Sequence, residues 1–166
     1  FTGRLKRPNV GVTMGLLLNL REMGARVGLS WKSGLEDLII EGRAGVTGDP
    51  GILTDGTDSD TSADLPPLLV LGVAKDIGDF TVEVNLQWTG WSSFGKLVIT
   101  NADATLGTIV TENDWQDVWA GRIGVEYRVN SDLTVRMGGV WDQDPVPGDK
   151  LSPLLPDEDR YVISMG

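Results

Sequence analysis

The chain has 166 residues, a net charge of −10, no cysteine and no histidine. The length suffices for one domain with a core, and the negative charge argues against a nucleic-acid partner, because phosphate backbones select for Lys- and Arg-rich surfaces. Within these residues, the composition excludes thiol and Ser–His–Asp nucleophiles and the common zinc sites, so neither a cofactor nor a metal is expected.

Strict two-residue alternation of apolar with polar or small residues predicts β-strands, because successive side chains of a strand point to opposite faces. The clearest copy places Phe80, Val82, Val84, Leu86 and Trp88 on one face. Seven such strands are predicted in chain order: Val10–Leu20, Val27–Trp31 with a less regular continuation through Leu38–Ile40, Leu69–Val73, Phe80–Trp88, Trp119–Arg128, Leu133–Asp142 and Tyr161–Met165.

The predicted connections alternate between short and long. The short turns are Arg21–Gly24, Asp76–Asp79 and Val129–Asp132, and the long connections are Gly45–Asp64, about Thr100–Asp114 and Gln143–Arg160. In an up-and-down antiparallel sheet this order puts all short turns at one end. Bacterial outer-membrane barrels have this asymmetry, although no apolar run is long enough for a membrane helix.

Five aromatic residues lie on the apolar register at the long-connection end of their strands: Trp31, Trp88, Trp119, Trp141 and Tyr161. This arrangement predicts an aromatic girdle at the level of lipid headgroups. The alternative is a soluble, lipid-binding β-barrel whose apolar stripe is its core, but such a core would scatter its tryptophans along the strands.

Three segments carry a family resemblance. They are Leu86–Phe94 (LQWTGWSSF), Trp115–Trp119 (WQDVW) followed by Gly121–Tyr127 (GRIGVEY), and Asp142–Pro147 (DQDPVP) with Leu151–Arg160 (LSPLLPDEDR). In this order they resemble the FadL family of outer-membrane transporters for long-chain fatty acids and other hydrophobic compounds. The Pro-Val-Pro loop ending in Pro-Asp-x-Asp-Arg is the most specific of the three.

The resemblance implies an all-β, antiparallel transmembrane barrel of fourteen strands, of which residues 1–166 would form one partial domain of about seven strands. The hatch that plugs the lumen, the lateral opening and the remaining strands would lie outside these residues. The implied function is passive diffusion of a long-chain fatty acid or other hydrophobic molecule through the plugged barrel, with lateral exit into the bilayer. The implied setting is the bacterial outer membrane, as a monomeric barrel among lipid and lipopolysaccharide. A general porin or adhesin is the alternative.

Candidate ligand contacts follow from the inward register. Val118, Ala120 and Val140 lie inward near the long-connection end, and Val70 lies nearer the middle of its strand. These four residues are predicted to line a pocket for the hydrophobic tail. The polar inward residues are expected to form a hydrogen-bonded network, in which Glu126 pairs with Arg136 across the Val129–Asp132 turn.

The resemblance also implies a cation for an anionic headgroup, shortly before the first aromatic residue of the fifth strand. Here that stretch is Thr111–Asp114 (TEND), without Lys or Arg, which leaves room for an uncharged substrate. Arg122, Lys96 and Lys150 are the alternative cations.

The acidic residues of the chain suggest two further kinds of site. Aspartates clustered in Gly45–Asp64 could supply oxygen ligands for Ca²⁺, but their spacing does not fit an EF-hand, and a solvated loop is the preferred interpretation. The acid pairs Asp142 with Asp144 and Asp157 with Asp159 adjoin prolines, where turn formation explains them, so no enzymatic activity is predicted.

Overall fold

The computed structural model describes residues 2–5, 8–44, 57–101, 108–148 and 158–166. These residues form twelve strands and two short 3-10 helices, Arg21–Met23 and Trp91–Ser93. No helix in the described ranges is long and apolar enough to cross a membrane. The strands are β1 (Thr2–Leu5), β2 (Thr13–Leu20), β3 (Ala25–Lys32), β4 (Leu35–Ala44), β5 (Thr57–Leu65), β6 (Leu68–Ile77), β7 (Phe80–Thr89), β8 (Lys96–Asn101), β9 (Thr108–Glu112), β10 (Val118–Arg128), β11 (Thr134–Asp142) and β12 (Arg160–Met165).

Seven of these strands form one antiparallel sheet in the order β12-β11-β10-β7-β6-β3-β2, called the barrel sheet below. It contains the seven strands that the alternation predicts, so this part of the prediction is confirmed. Short connections join β2 to β3, β6 to β7 and β10 to β11. Gly24 and Gly78 take positive φ angles of 59° and 61° in the first two, and in the third Asn130 Oδ1 accepts from the backbone N–H groups of Asp132 and Leu133 at 2.9 Å.

The remaining five strands form a second antiparallel sheet in the order β1-β4-β5-β8-β9. The long connections predicted at Gly45–Asp64 and about Thr100–Asp114 therefore contain strands that the prediction missed. Residues 57–64 lie in β5, Thr100–Asn101 in β8 and Thr108–Glu112 in β9. Leu38–Ile40 belongs to strand β4, which residues 33–34 separate from β3. Residues 45–56, 102–107 and 149–157 lie outside the described ranges.

The second sheet continues the barrel sheet. Along the chain, β2, β3, β6, β7 and β10 are adjacent to β1, β4, β5, β8 and β9, respectively. The two sets of strands have the same order in their sheets. The break between β1 and β2 includes residues 8–12, and the other four fall at residues 33–34, 66–67, 90–95 and 113–117. These five segments are together called the junction. Backbone hydrogen bonds join neighbouring segments within the junction: Gly90 N–H donates to Pro67 O at 3.0 Å, and Asn113 N–H donates to Gly95 O at 2.9 Å. The long connections are thus partly extensions of the barrel wall.

The register sorts side chains into rows across the barrel sheet. One row on the apolar face runs through all seven strands: Leu18, Val27, Val73, Val84, Ile123, Gly139 and Ile163. Of this row, Leu18, Val73, Val84, Ile123 and Ile163 are large hydrophobic residues with 42–75% of their surface exposed. An apolar face exposed on this scale is covered by something other than the described residues.

The five predicted girdle residues lie in two neighbouring rows at the junction end of this face. Trp31, Trp88 and Trp119 share one row with Leu69, and Trp141 and Tyr161 pair in the next. At the opposite end of the face Phe80 and Tyr127 stack with ring centroids 4.5 Å apart. Aromatic side chains therefore flank the apolar face at both ends.

We predict that a side chain at Gly34 lowers the stability of the protein. A Cβ there would lie 2.8 Å from Leu65 O, a backbone atom fixed by the β4–β5 pairing, whereas a Cβ at Gly95 meets nothing within 4 Å. Gly34→Ala should destabilise the full-length protein by about 1–3 kcal/mol through overpacking, measured by urea unfolding with heat-modifiable gel migration. Gly95→Ala is the matched control, and equal stability of the two variants would contradict the junction geometry.

Candidate ligand-binding site

The polar face of the barrel sheet carries cross-strand ion pairs. Arg26 and Asp76 form a two-pronged pair at 2.7 and 3.0 Å, and Asp76 also accepts from Thr81 Oγ1 at 2.8 Å. The predicted pair of Glu126 and Arg136 is confirmed at 2.7 Å. All these groups lie toward the short-turn end, which makes that end of the polar face a charged network.

Two of the predicted tail contacts, Val118 and Ala120, are among the most buried residues of the described chain. They are 6% and 3% exposed, and Val146 in the Pro-Val-Pro segment is 8% exposed. This segment runs along β10: Gln143 N–H donates to Trp119 O at 3.1 Å, Trp119 N–H donates to Gln143 Oε1 at 2.9 Å, and Gln116 N–H donates to Pro145 O at 2.9 Å. Little of either side chain is therefore open to a ligand in this conformation.

The other predicted contacts are more open. Val70 borders a depression of about 380 Å³ floored by Gly15, Gly28 and Gly72. Val140 and Arg122 border a separate recess of about 220 Å³, in which Arg122 Nη1 donates to Gln87 Oε1 at 3.0 Å. The structure thus places the predicted tail contacts in three different environments along the polar face.

Of the two remaining predicted cations, Lys96 lies away from this face. Lys96 begins β8 in the second sheet, is exposed, and pairs in register with Glu112. Lys150 lies outside the described residues.

An aromatic cluster at the junction completes the site. The ring centroids of Trp91 and Trp115 are 5.1 Å apart, those of Phe94 and Trp115 are 4.9 Å apart, and those of Trp91 and Phe94 are 6.0 Å apart. Next to the cluster, Asn113 is 5% exposed, and its Nδ2 has no hydrogen-bond partner. The sequence motifs contained these rings, but nothing in the sequence predicted the burial of Asn113 or the hydrogen bond from its backbone N–H to Gly95 O.

The acidic residues considered for catalysis serve the local structure. Asp142 pairs with Arg160 at 3.0 Å, Asp144 Oδ1 accepts from Val146 N–H at 2.7 Å, and Asp159 Oδ1 accepts from Asp144 N–H at 2.9 Å. Asp157 lies outside the described ranges. Across those ranges no three acidic side chains are grouped closely enough to hold a metal ion, and Asp49 and Asp55 of the considered Ca²⁺ site are not among the described residues.

Comparison with known proteins gives a consistent result. Residues 7–166 match the model of the family described as outer membrane protein transport protein (OMPP1/FadL/TodX). The long-chain fatty acid transport protein of Escherichia coli O6:H1 is 29% identical over 97 residues, which cover 58% of this chain and 22% of that protein. The corresponding protein of Salmonella typhi is 29% identical over 99 residues. The matched region is therefore about a fifth of the length of these relatives.

Solved structures show the same fold. A FadL homologue of Pseudomonas aeruginosa has a TM-score of 0.78 at 22% identity, over 93% of this chain and 38% of the homologue. The toluene transporter TodX of Pseudomonas putida has a TM-score of 0.62 at 20% identity, over 95% of this chain and 39% of TodX. These likenesses confirm the predicted partial β-barrel fold. The family match confirms its place in the bacterial outer membrane.

We predict that the burial of Val118 and Ala120 is measurable by chemical labelling. The 166 residues contain no cysteine, so single cysteines can be introduced at either position, with any cysteine elsewhere in the full-length protein replaced. Val118→Cys and Ala120→Cys should react with a water-soluble maleimide roughly tenfold or more slowly than Ser131→Cys in the exposed turn, because reaction requires local opening. All three variants should react equally in denaturant, and fast labelling of the native Val118→Cys variant would refute the covered arrangement.

Proposed function

Since the chain belongs to the outer membrane protein transport family OMPP1/FadL/TodX, we propose that it forms part of the wall of a channel that carries hydrophobic compounds across the outer membrane. The observation that carries the proposal is the division of the barrel sheet into an exposed apolar face and a face with paired charges. A wall of this kind faces lipid on one side and a polar lumen on the other.

The proposed route has three stages. A hydrophobic molecule is first captured at the junction, where aromatic rings and apolar side chains stand above the membrane. It then moves along the polar face past Val140, Val70 and Arg122, and the covered residues Val118 and Ala120 join the path when the segment at residues 143–146 shifts. It finally leaves sideways into the bilayer, through an opening outside the described residues.

Passage is proposed to be passive and without catalysis. Burial of an apolar tail is worth roughly 0.8 kcal/mol per CH₂, so an apolar pocket captures a dilute hydrophobic molecule without an energy source. Release requires a change in the pocket, since tight binding alone does not move the ligand. Long-chain fatty acids are one candidate substrate class, because relatives that the chain matches are named for their transport.

In this proposal the full-length protein is a monomeric barrel in contact with outer-membrane lipid and lipopolysaccharide. The rows that contain Trp31, Trp88, Trp119, Trp141 and Tyr161 are proposed to lie at the outer headgroup level, where amphipathic rings are favoured. Lys96, in β8, would then belong to the part of the protein outside the hydrocarbon layer.

A paired substitution tests which face meets lipid. Ile123 lies on the apolar face, and its neighbour Gly124 lies on the polar face, where a Cβ meets nothing within 4 Å. In lipid vesicles Ile123→Arg should lower the free energy of unfolding by about 2–4 kcal/mol, the cost of an arginine near the bilayer midplane, and Gly124→Arg should cost clearly less. Equal losses, or a larger loss at Gly124, would contradict the assignment of the two faces.

Transport itself is tested with membrane vesicles that contain or lack the full-length protein. Uptake of a labelled hydrophobic compound should rise with the protein and remain unchanged when a protonophore collapses the ion gradients. Uptake that the protein does not increase would overturn the function, and uptake abolished by the protonophore would overturn passive passage.

A further inference from the structure

Lys75 is a charged residue on the otherwise apolar face of the barrel sheet. Across the seven described strands of this sheet, no other charged residue lies on that face. Lys75 is exposed, and so are Val73 and Val84 in the next row. A lysine that faces hydrocarbon near the middle of a bilayer is costly, so its presence on this face requires an explanation. The row that contains it is Leu20, Ala25, Lys75, Val82, Val125, Met137 and Met165.

The acid next to Lys75 in the chain belongs to the opposite face. Asp76 lies on the polar face, where Arg26 donates to both of its carboxylate oxygens at 2.7 and 3.0 Å and Thr81 Oγ1 donates to it at 2.8 Å. Asp79 lies beyond the end of the strand, in the exposed turn between β6 and β7. Within the described barrel sheet, the apolar face therefore brings no acid to Lys75, and its positive charge is available to an anion of the surrounding medium.

The position of Lys75 along its strand brings its ammonium group within reach of lipid headgroups. The last row before the short turns, called the end row, contains Ile77, Phe80, Tyr127 and Val135. Lys75 is two residues from Ile77, a distance of about 7 Å along the strand. A lysine stem can lie along apolar surface while its ammonium group extends to the interface. The stacked rings of Phe80 and Tyr127 are of the kind that marks this interface, which places the charge at the headgroup level of the leaflet on the short-turn side.

The chemistry of that leaflet favours an anionic phospholipid as the partner. The short turns of outer-membrane barrels lie on the periplasmic side, where phospholipids present a phosphate group at the depth at which the hydrocarbon ends. An anionic lipid surface attracts basic side chains, and phosphate oxygens accept strong hydrogen bonds from an ammonium group. The exposed side chains of Val73 and Val84, next to Lys75 on the hydrocarbon side, offer apolar surface to the acyl chains of the same lipid.

We propose that Lys75 binds the phosphate group of an anionic phospholipid in the periplasmic leaflet, with the acyl chains of that lipid along Val73 and Val84. The bound lipid fixes the depth of the barrel wall at its short-turn end, as the aromatic rows do at the junction end. The inference goes beyond the proposed function: it requires that the apolar face meets lipid, and it is independent of which compound is transported.

The test uses the purified full-length protein in a nonionic detergent without phosphate, with two lipid probes. The probes are phosphatidylglycerol and a diacylglycerol with the same acyl chains, and native mass spectrometry measures the bound fraction of each across a titration. Lys75→Gln should bind phosphatidylglycerol about fivefold more weakly than the wild-type protein does, the effect of one lysine beside an anionic lipid surface. The two proteins should bind the diacylglycerol equally, because it has no phosphate group.

Lys32→Gln is the matched control. Lys32 is an exposed lysine of the same sheet, but it lies on the polar face at the junction end of β3, so this variant should keep the wild-type affinity for phosphatidylglycerol. Lys75→Arg keeps the positive charge and should also keep that affinity. Heat-modifiable migration checks that each variant folds. If Lys75→Gln does not fold, Lys75→Met, which matches the apolar residues of its row, takes its place.

The outcomes separate the inference from the function. Equal affinity of folded Lys75→Gln and the wild-type protein for phosphatidylglycerol, or equal losses in Lys75→Gln and Lys32→Gln, would overturn the site. An equal loss of diacylglycerol binding in Lys75→Gln would overturn recognition of the phosphate group. Displacement of phosphatidylglycerol by excess inorganic phosphate would assign the site to the free ion and overturn the lipid as its partner. Binding of neither lipid by the wild-type protein would also overturn the inference, whereas transport is tested separately by uptake into vesicles.

Discussion

A membrane-spanning strand has no water with which to satisfy its backbone, so each N–H and C=O group in the hydrocarbon layer must pair within the protein. The rest of the structure follows from this constraint. At the centre of the barrel sheet, β7 and β10 pair without a break from Val118–Thr89 to Tyr127–Phe80. Continuous pairing fixes the register, and the register places every second side chain of each strand on the lipid side. The face on the lipid side is the apolar face of all seven strands, and the polar face carries charges that pair with one another.

The same backbone pairing extends past the aromatic rows and builds the second sheet, although backbone groups in contact with water no longer need a partner within the protein. The junction interrupts each strand with glycine, proline or a short irregular segment, and hydrogen bonds such as Gly90 to Pro67 keep neighbouring strands in order across it. This interruption is what makes a site possible. It lets Trp91, Phe94 and Trp115 turn toward one another, and it buries Asn113 next to them. A continuous strand would have spaced these side chains along two faces.

The sequence predicted the elements whose two faces meet different media, and it missed those whose two faces do not. β7 alternates perfectly and was recognised in full. β5, with the sequence TDSDTSADL, has polar residues on both faces and resembles a loop until its partners β4 and β8 are known. Alternation also assigned Val118 and Ala120 to the inward face, but it did not predict their burial, nor the hydrogen bonds that join Trp119 and Gln116 to a segment more than twenty residues away in the chain. Asn113 carried no signal, because an asparagine outside a strand is most often a turn residue.

The most direct test of this account is the accessibility of spin labels placed one at a time from residue 27 to residue 41 in the full-length protein, reconstituted in lipid. Collisions with oxygen, which concentrates in the bilayer, should alternate with a period of two along β3, with maxima at Val27 and Leu29. The alternation should end at Ser33–Gly34, and a water-soluble nickel complex should reach the labels throughout β4. If the oxygen alternation continued through Leu38–Ile40, β3 and β4 would be one membrane strand, and the division of the wall into a barrel sheet and an extension beyond the membrane would be wrong.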